Sequence, residues 1–260
     1  MLTNKDHTFS ICAYKESPFL EDCIKSVIYQ GSRVIVATST PNELIEGLCR
    51  KYSLPMFINR GESGIAGDWN FAISSAETEL VTIAHQDDVY KSNYASVMLE
   101  KMNESNKPLI FFSDYAELRD GKEIDENNLL RIKRLLSMPM KINGKSKRLR
   151  KISFSLGNSI CCPSVTYKRE VMLANPFEQG MRSNLDWKKW VELSQLDGEF
   201  THSDEILMLH RIHEESETSH LLGESARGEE DLEVFRLFWP EQIARAINKV
   251  YSNSEKSNVV

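Results

Sequence analysis

The sequence predicts an α/β protein with a mainly parallel, mixed central sheet flanked by helices. Short β-rich runs alternate with helical patterns of about 10 to 15 residues over the first 115 residues, the signature of βαβ units. An apolar run, Leu80 to Ala84, ends directly in His85, Gln86, Asp87 and Asp88, so charge collects at a strand's carboxyl end, where open α/β sheets bind ligands. With 260 residues, 41% of them apolar, the chain can bury a full core.

The elements follow in order. "TFSICAY" reads as a strand, and Phe19, Leu20, Cys23, Ile24, Val27 and Ile28 then recur at helical spacing behind the Ser17-Pro18 start signal. "RVIVAT" is the second strand, Pro41-Asn42 opens a helix through Tyr52, and "PMFIN" is a short third strand. A helix from Ile65 to Ala76 leads into the strand "TELVTIA". Beyond the acidic pair a helix is expected from Ser92 to Met102, followed by the strand "PLIFFSDYAEL". From residue 120 the rhythm breaks: residues 131–151 hold nine Lys or Arg and no acid, interleaved with Leu, Ile and Met. The sheet theme resumes weakly at "PSVTYKREVM". Then "SNLDWKKWVELSQ" reads as a helix, "EILMLHRIH" as a strand and "LEVFRLFWPEQIARAINKVY" as closing helices, with 252–260 expected to fray.

A net charge of -6 argues against a general affinity for nucleic acid. The amino end lacks a basic segment followed by an apolar core, so no signal peptide is expected, and no apolar stretch approaches the roughly 18 residues of a membrane helix. A cytoplasmic address follows. Five cysteines without CxxC spacing fit neither a disulfide framework nor a zinc site, and are expected to be reduced and mostly buried.

Three clusters carry candidate chemistry. Asp87 and Asp88 suit either a helix cap or a hard divalent cation, Mg2+ or Mn2+, which takes carboxylate oxygens and substrate phosphates. In "EILMLHRIH" strand alternation puts Arg211 and His213 on one face, suited to a phosphate and a metal, and leaves His210 on the other as a solvated group. Asp186 falls in a first helical turn, where a carboxylate complements the helix dipole. Trp187 and Trp190 beside it fit either a sugar face or ordinary core.

The order and spacing of "FSICAYKESPFLEDCIKSVIYQ", "ESGIAGDWNFAISSAETELVTIAHQDDVY" and "LMLHRIHEESET" resemble the family 2 glycosyltransferases with the GT-A fold. The resemblance implies one domain over 1–260: a nucleotide-sugar half (1–118), an acceptor half (119–222) and a carboxyl-terminal helical segment (223–260). It implies an inverting transfer from a nucleoside-diphosphate sugar, a UDP-sugar first, to an acceptor hydroxyl, in bacterial surface polysaccharide synthesis. Ala13, Tyr14, Glu16, Thr38, Asp68, Asn70, His85, Gln86 and Arg211 would bind the nucleotide sugar, Asp87, Asp88 and His213 the Mn2+ or Mg2+, and Asp186 would be the base. The acceptor would be a saccharide or lipid-linked saccharide. Segment 131–151 would be a solvated lobe over the acceptor cleft or a peripheral contact with the inner face of the membrane. The sequence departs from the family pattern at Ala37 and Thr38, where Asp residues usually stand, at His85 in place of the first metal-motif Asp, and at Trp69 in place of an Arg. These departures keep a non-catalytic nucleotide- or sugar-binding protein as the alternative. "CAYKES" lacks both the Asp pair of a phosphatase and the Gly-rich loop of a nucleotidyltransferase.

Overall fold

The computed structural model describes residues 1–62, 64–213 and 225–256. Its first half follows the expected alternation: β1 (His7–Ala13), α1 (Leu20–Val27), β2 (Arg33–Thr38), α2 (Glu43–Tyr52), β3 (Met56–Ile58), α3 (Ile65–Ser75) and β4 (Leu80–His85). Local chemistry explains these bounds. Helix α1 buries Leu20, Cys23, Ile24 and Val27, an i, i+3, i+4, i+7 stripe against the sheet, with Glu21 and Asp22 in its first turn. Asn42 caps α2 by accepting the Ile45 N–H at 3.0 Å, and Ser53 ends it in the left-handed region. Gly64, at φ 94°, makes the turn into α3 that a β-carbon would strain.

A two-residue β5 (Val89–Tyr90) comes directly after the acidic pair, ahead of α4 (Tyr94–Asn103), β6 (Pro108–Arg119) and β7 (Lys122–Ile124). Segment 131–151 then spans most of α5 (Asn128–Ile142), the connection 143–146 and the start of α6 (Lys147–Phe154), the helices capped by Asn127 and Ser146. Of "PSVTYKREVM" only β8 (Thr166–Lys168) is strand, and α7 (Arg169–Ala174) takes over. After α8 (Leu185–Leu193) comes β9 (Glu199–Ile212), which begins six residues before the apolar run that marked it in the sequence. Helices α9 (Ser225–Arg236) and α10 (Glu241–Lys256) close the chain on either side of Trp239-Pro240. Helix α10 reaches into the segment expected to fray, while 257–260 and the "EESET" part of the late motif lie outside the described residues.

Among the described residues nine strands order as β3-β2-β1-β4-β8-β6-β9-β5, with β7 on β6. The run β3-β2-β1-β4 is parallel, and it aligns Ala13 with Thr38 and Cys12 with His85 at one carboxyl edge. Past β4 the sheet is mixed: β8 is antiparallel to both neighbours, and β6 and β9 are parallel. Apolar clusters cover both faces, one with α1, α2 and α4, the other with α3 and α8. Trp187 and Trp190 are fully buried in the second cluster, so the sugar-face reading of these indoles is corrected to core. All five cysteines are free thiols, four buried and Cys12 half-buried, as expected.

Candidate active site

The site forms where β5 pairs antiparallel with β9, Val89 opposite Leu209 and Tyr90 opposite Met208. This pairing folds the tight turn after β4 against the end of β9. Asp88, fully buried, accepts the Arg211 backbone N–H at 2.9 Å and faces His210 Nδ1 at 3.0 Å. His213 Nε2 lies 3.0 Å from Asp87 Oδ2. The Arg211 guanidinium donates to the Asp87 carbonyl at 2.8 Å and to Asp22 at 3.2 Å, and stacks over Phe19 at 4.3 Å. His210, expected to be solvated, is instead a partner of Asp88, because the β5 pairing brings that carboxylate to its face of β9.

Electrostatics follow from this crowding. Burial pushes the Asp87 carboxyl upward, but the His213 hydrogen bond and the His85 and His210 rings outweigh it, leaving its pKa below the ordinary carboxylate value. Burial pulls the His210 imidazole down, and the Asp88 carboxylate more than restores it, so its pKa ends above normal.

His85, Asp87 and Asp88 offer one ligand atom each within 4.8 Å of one another. His85 Nε2 and Asp88 Oδ2 are buried without a hydrogen-bond partner. Two orphaned buried polar atoms in a cluster of one imidazole and two carboxylates fit a divalent cation. Trp69 stacks on His85 at 5.3 Å and 24°, holding the ring.

The remaining candidates divide into two groups. Ala13 and Thr38 are buried at the carboxyl edge, Tyr14 is exposed beside them, and Glu16 is exposed in the loop after β1. Gln86 clamps the Tyr14 backbone, accepting its N–H at 2.9 Å and donating to its carbonyl at 3.0 Å. Asp68 accepts from Ser39 at 2.9 Å and Asn59 at 2.8 Å under the same edge. Asn70 instead pairs with the Phe177 backbone through both ends of its amide, tying α3 to the loop after α7.

Asp186 is buried in the first turn of α8. Its Oδ1 accepts the Trp187 N–H at 2.6 Å and its Oδ2 accepts from Asn158 at 3.1 Å. Burial raises its pKa, and these two donors offset only part of the rise. Sequence reasoning missed Asn158 and also Lys133, whose charge acts on both Asp186 and His210. Neither sits in a motif, and only the long-range packing of α5 and the 155–161 segment reveals them.

The basic segment is divided: Arg131, Lys145, Lys147, Arg148 and Lys151 are exposed, while Arg150 and Lys141 are drawn into the fold. Arg150 is fully buried and donates to the Leu196 and Gly198 carbonyls, and Lys141 pairs with Asp114 and Asp204. Arg131 meets Glu126, and Lys147 meets Asp197.

The family model described as Glycosyl transferase family 2 matches residues 8–171. No curated protein matches the sequence. Among solved structures, S. aureus TarS 1-349 in complex with UDP-GlcNAc is 15% identical, with a TM-score of 0.62 over 98% of this chain and 73% of that one. The mannosyltransferase PcManGT from Pyrobaculum calidifontis, in complex with GDP-Man and Mn2+, is 11% identical, with a TM-score of 0.64 over 94% and 69%. The fold is that of the GT-A glycosyltransferases.

Proposed function

Because this chain belongs to glycosyl transferase family 2, we propose that it moves a sugar from a nucleoside-diphosphate donor to an acceptor hydroxyl, with inversion at the anomeric carbon. The observation that carries this reading is the convergence of Asp87, Asp88, His210, Arg211 and His213 on one sheet edge. Ala13, Tyr14 and Thr38 border the nucleotide pocket, and Gln86 fixes its backbone wall. Arg211, oriented by the Asp87 carbonyl and Asp22, presents its remaining N–H groups to the phosphates. His85, Asp87 and Asp88, with His213 beside them, would hold Mn2+ or Mg2+. When bound, such an ion neutralises charge building on the departing diphosphate. Asp186 takes the acceptor proton as the hydroxyl attacks, and its raised pKa makes it a stronger base than a solvated carboxylate. Its single carboxylate suffices, since an in-line displacement needs no covalent enzyme intermediate.

A UDP-sugar is the first donor to try, by analogy with the UDP-GlcNAc complex of TarS, and GDP-mannose the second. The acceptor is a saccharide or lipid-linked saccharide of a surface polysaccharide, met at the cytoplasmic face of the membrane. Among the described residues no helix is long and apolar enough to cross a membrane. Support for peripheral contact comes from the exposed stripe Ile132, Leu135, Met138 and Ile142 on α5, with Lys145, Arg148 and Lys151 exposed beyond it. Flotation with anionic vesicles tests this. Loss of binding on changing Leu135 and Ile142 to Ser supports it, and no flotation of the wild type opposes it.

The test of activity is release of nucleoside diphosphate from a panel of UDP-, GDP- and dTDP-sugars with Mn2+, with and without EDTA. Metal-dependent turnover of one donor class is expected. Tight nucleotide binding without turnover of any donor would favour the non-catalytic alternative.

A further inference from the structure

A second polar cleft lies on the acceptor side of the sheet. It is lined by Ser113, Asp114 and Tyr115 of β6, Lys133 and Arg134 of α5, and Ser159. Its origin is a break in sheet pairing. The β6–β9 register shifts on either side of Asp114, so Ser113 faces Ser203 but Tyr115 faces Met208, and the disrupted ladder opens a gap behind β6.

The gap holds unused hydrogen-bonding capacity. Ser113 is 4% exposed and Ser159 is 7% exposed, and the hydroxyl of each is buried without a partner. Two hydroxyls without a protein partner in one cleft cost folding free energy unless water or a ligand pairs with them. Charge in the cleft is positive. Asp114 is already matched by Lys141 at 2.6 Å and by Arg134 at 3.4 Å. Lys133 lies 5.5 Å from the centre of the Tyr115 ring and, among the described residues, has no carboxylate within ion-pair distance. One ammonium, hydrogen-bonded to the Tyr115 hydroxyl and with no carboxylate in contact among the described residues, together with two unpaired O–H donors, is a complementary set for an oxyanion.

The cleft also adjoins the reaction centre from both sides. Tyr115 packs edge-on against His210, the partner of Asp88, at 6.3 Å. Ser159 follows Asn158, which holds the proposed base Asp186. We propose that this cleft is an anion subsite that receives a phosphate or carboxylate group carried by the acceptor, so that the acceptor is a negatively charged saccharide. This deepens the transferase reading and rests on it. The other source of an oxyanion is the donor's diphosphate. The acceptor is favoured because α5 and the 155–161 segment belong to the acceptor half, on the side of Asp186.

The test uses inorganic phosphate as the probe, against chloride at equal ionic strength, with thermal unfolding as the readout. Wild type should gain a few degrees from phosphate, Lys133→Arg should retain most of the gain, and Lys133→Met should lose it. Ser159→Ala should fold as well as wild type, having lost an unpaired hydroxyl, yet respond less to phosphate. It guards against a Lys133 variant that fails to fold. The gain should persist with stoichiometric UDP and Mn2+ present. Absence of any phosphate effect in the wild type, or an effect as large as the wild type's in both Lys133→Met and Ser159→Ala, overturns the subsite. Abolition of the effect by UDP and Mn2+ assigns the anion to the donor and overturns the acceptor proposal. Donor turnover measured on the same preparations separates the two readings. A protein that turns over a donor but ignores phosphate loses only the subsite, and one that binds phosphate through Lys133 without turnover keeps an anion site but loses the transferase reading and, with it, the acceptor role of the cleft.

Discussion

Replacing Asp186 with Asn should separate catalysis from folding. The new side chain keeps an oxygen for the Trp187 N–H, which Asp186 Oδ1 now accepts at 2.6 Å. Its amide nitrogen would face the Asn158 donor that Oδ2 accepts at 3.1 Å, so one charge-assisted hydrogen bond is lost, about 1.5 to 3 kcal/mol. Against that loss, a carboxylate whose ionisation burial opposes has been removed. The two effects oppose each other, and net stability should change by no more than about 2 kcal/mol, or roughly 4 to 8 °C in Tm for a chain of this size. The sign depends on pH. A pKa raised in the folded state means the fold binds more protons than the unfolded chain between the ordinary and the raised value. Wild type therefore loses stability as pH rises through that window, and the variant gains on it above the window. Turnover should fall by about 10^2 to 10^4, and the acidic limb of the wild-type rate profile, set by the raised pKa, should vanish. Steady-state release of nucleoside diphosphate, paired with unfolding curves across pH, measures both. Turnover within about threefold of wild type, with the acidic limb intact, would remove Asp186 from the role of base.

His7 is buried between Ser32 and Thr82, and burial lowers its pKa to about 3. The unfolded chain binds the proton first as pH falls below about 6.5, so this residue should cost about 3 kcal/mol between pH 7 and pH 4, and urea unfolding of His7→Gln should show a flatter dependence. Arg211→Lys cannot reproduce the contacts to the Asp87 carbonyl, Asp22 and the Phe19 ring. It should raise donor KM about tenfold or more, with a smaller effect on Tm. Trp187→Ala should cost about 3 to 5 kcal/mol in denaturant unfolding, because the indole is core and donates to the Phe154 carbonyl at 3.2 Å. Donor KM of the surviving folded fraction should stay unchanged.

The parallel half of the sheet was legible because each of its elements is decided locally. The apolar stripe of α1, the Asn42 cap and the continuous run of β4 need no distant partner to be recognised. What escaped depends on residues far apart in the chain. The two-residue β5 exists only because β9 lies beside it, and the polar "THSD" start of β9 carries no alternation to announce a strand. Counting charges in 131–151 suggested a basic surface, whereas carbonyls at Leu196 and Gly198 and the carboxylate of Asp204 draw Arg150 and Lys141 inward. The Asp87, Arg211 and His213 cluster was readable as a motif. The place of His210 was not, since strand alternation treats a flat ribbon and ignores what pairs along its edge.

Calorimetric titration of UDP into the protein, with Mn2+ and then with EDTA, tests the central claim that the acidic end of β4 holds a cation shared with a nucleotide diphosphate. The account predicts that Mn2+ tightens UDP binding at least about tenfold and that Asp87→Asn removes the gain while the variant still folds. Equal UDP affinity in Mn2+ and EDTA, or an undiminished Mn2+ effect in Asp87→Asn, would contradict it.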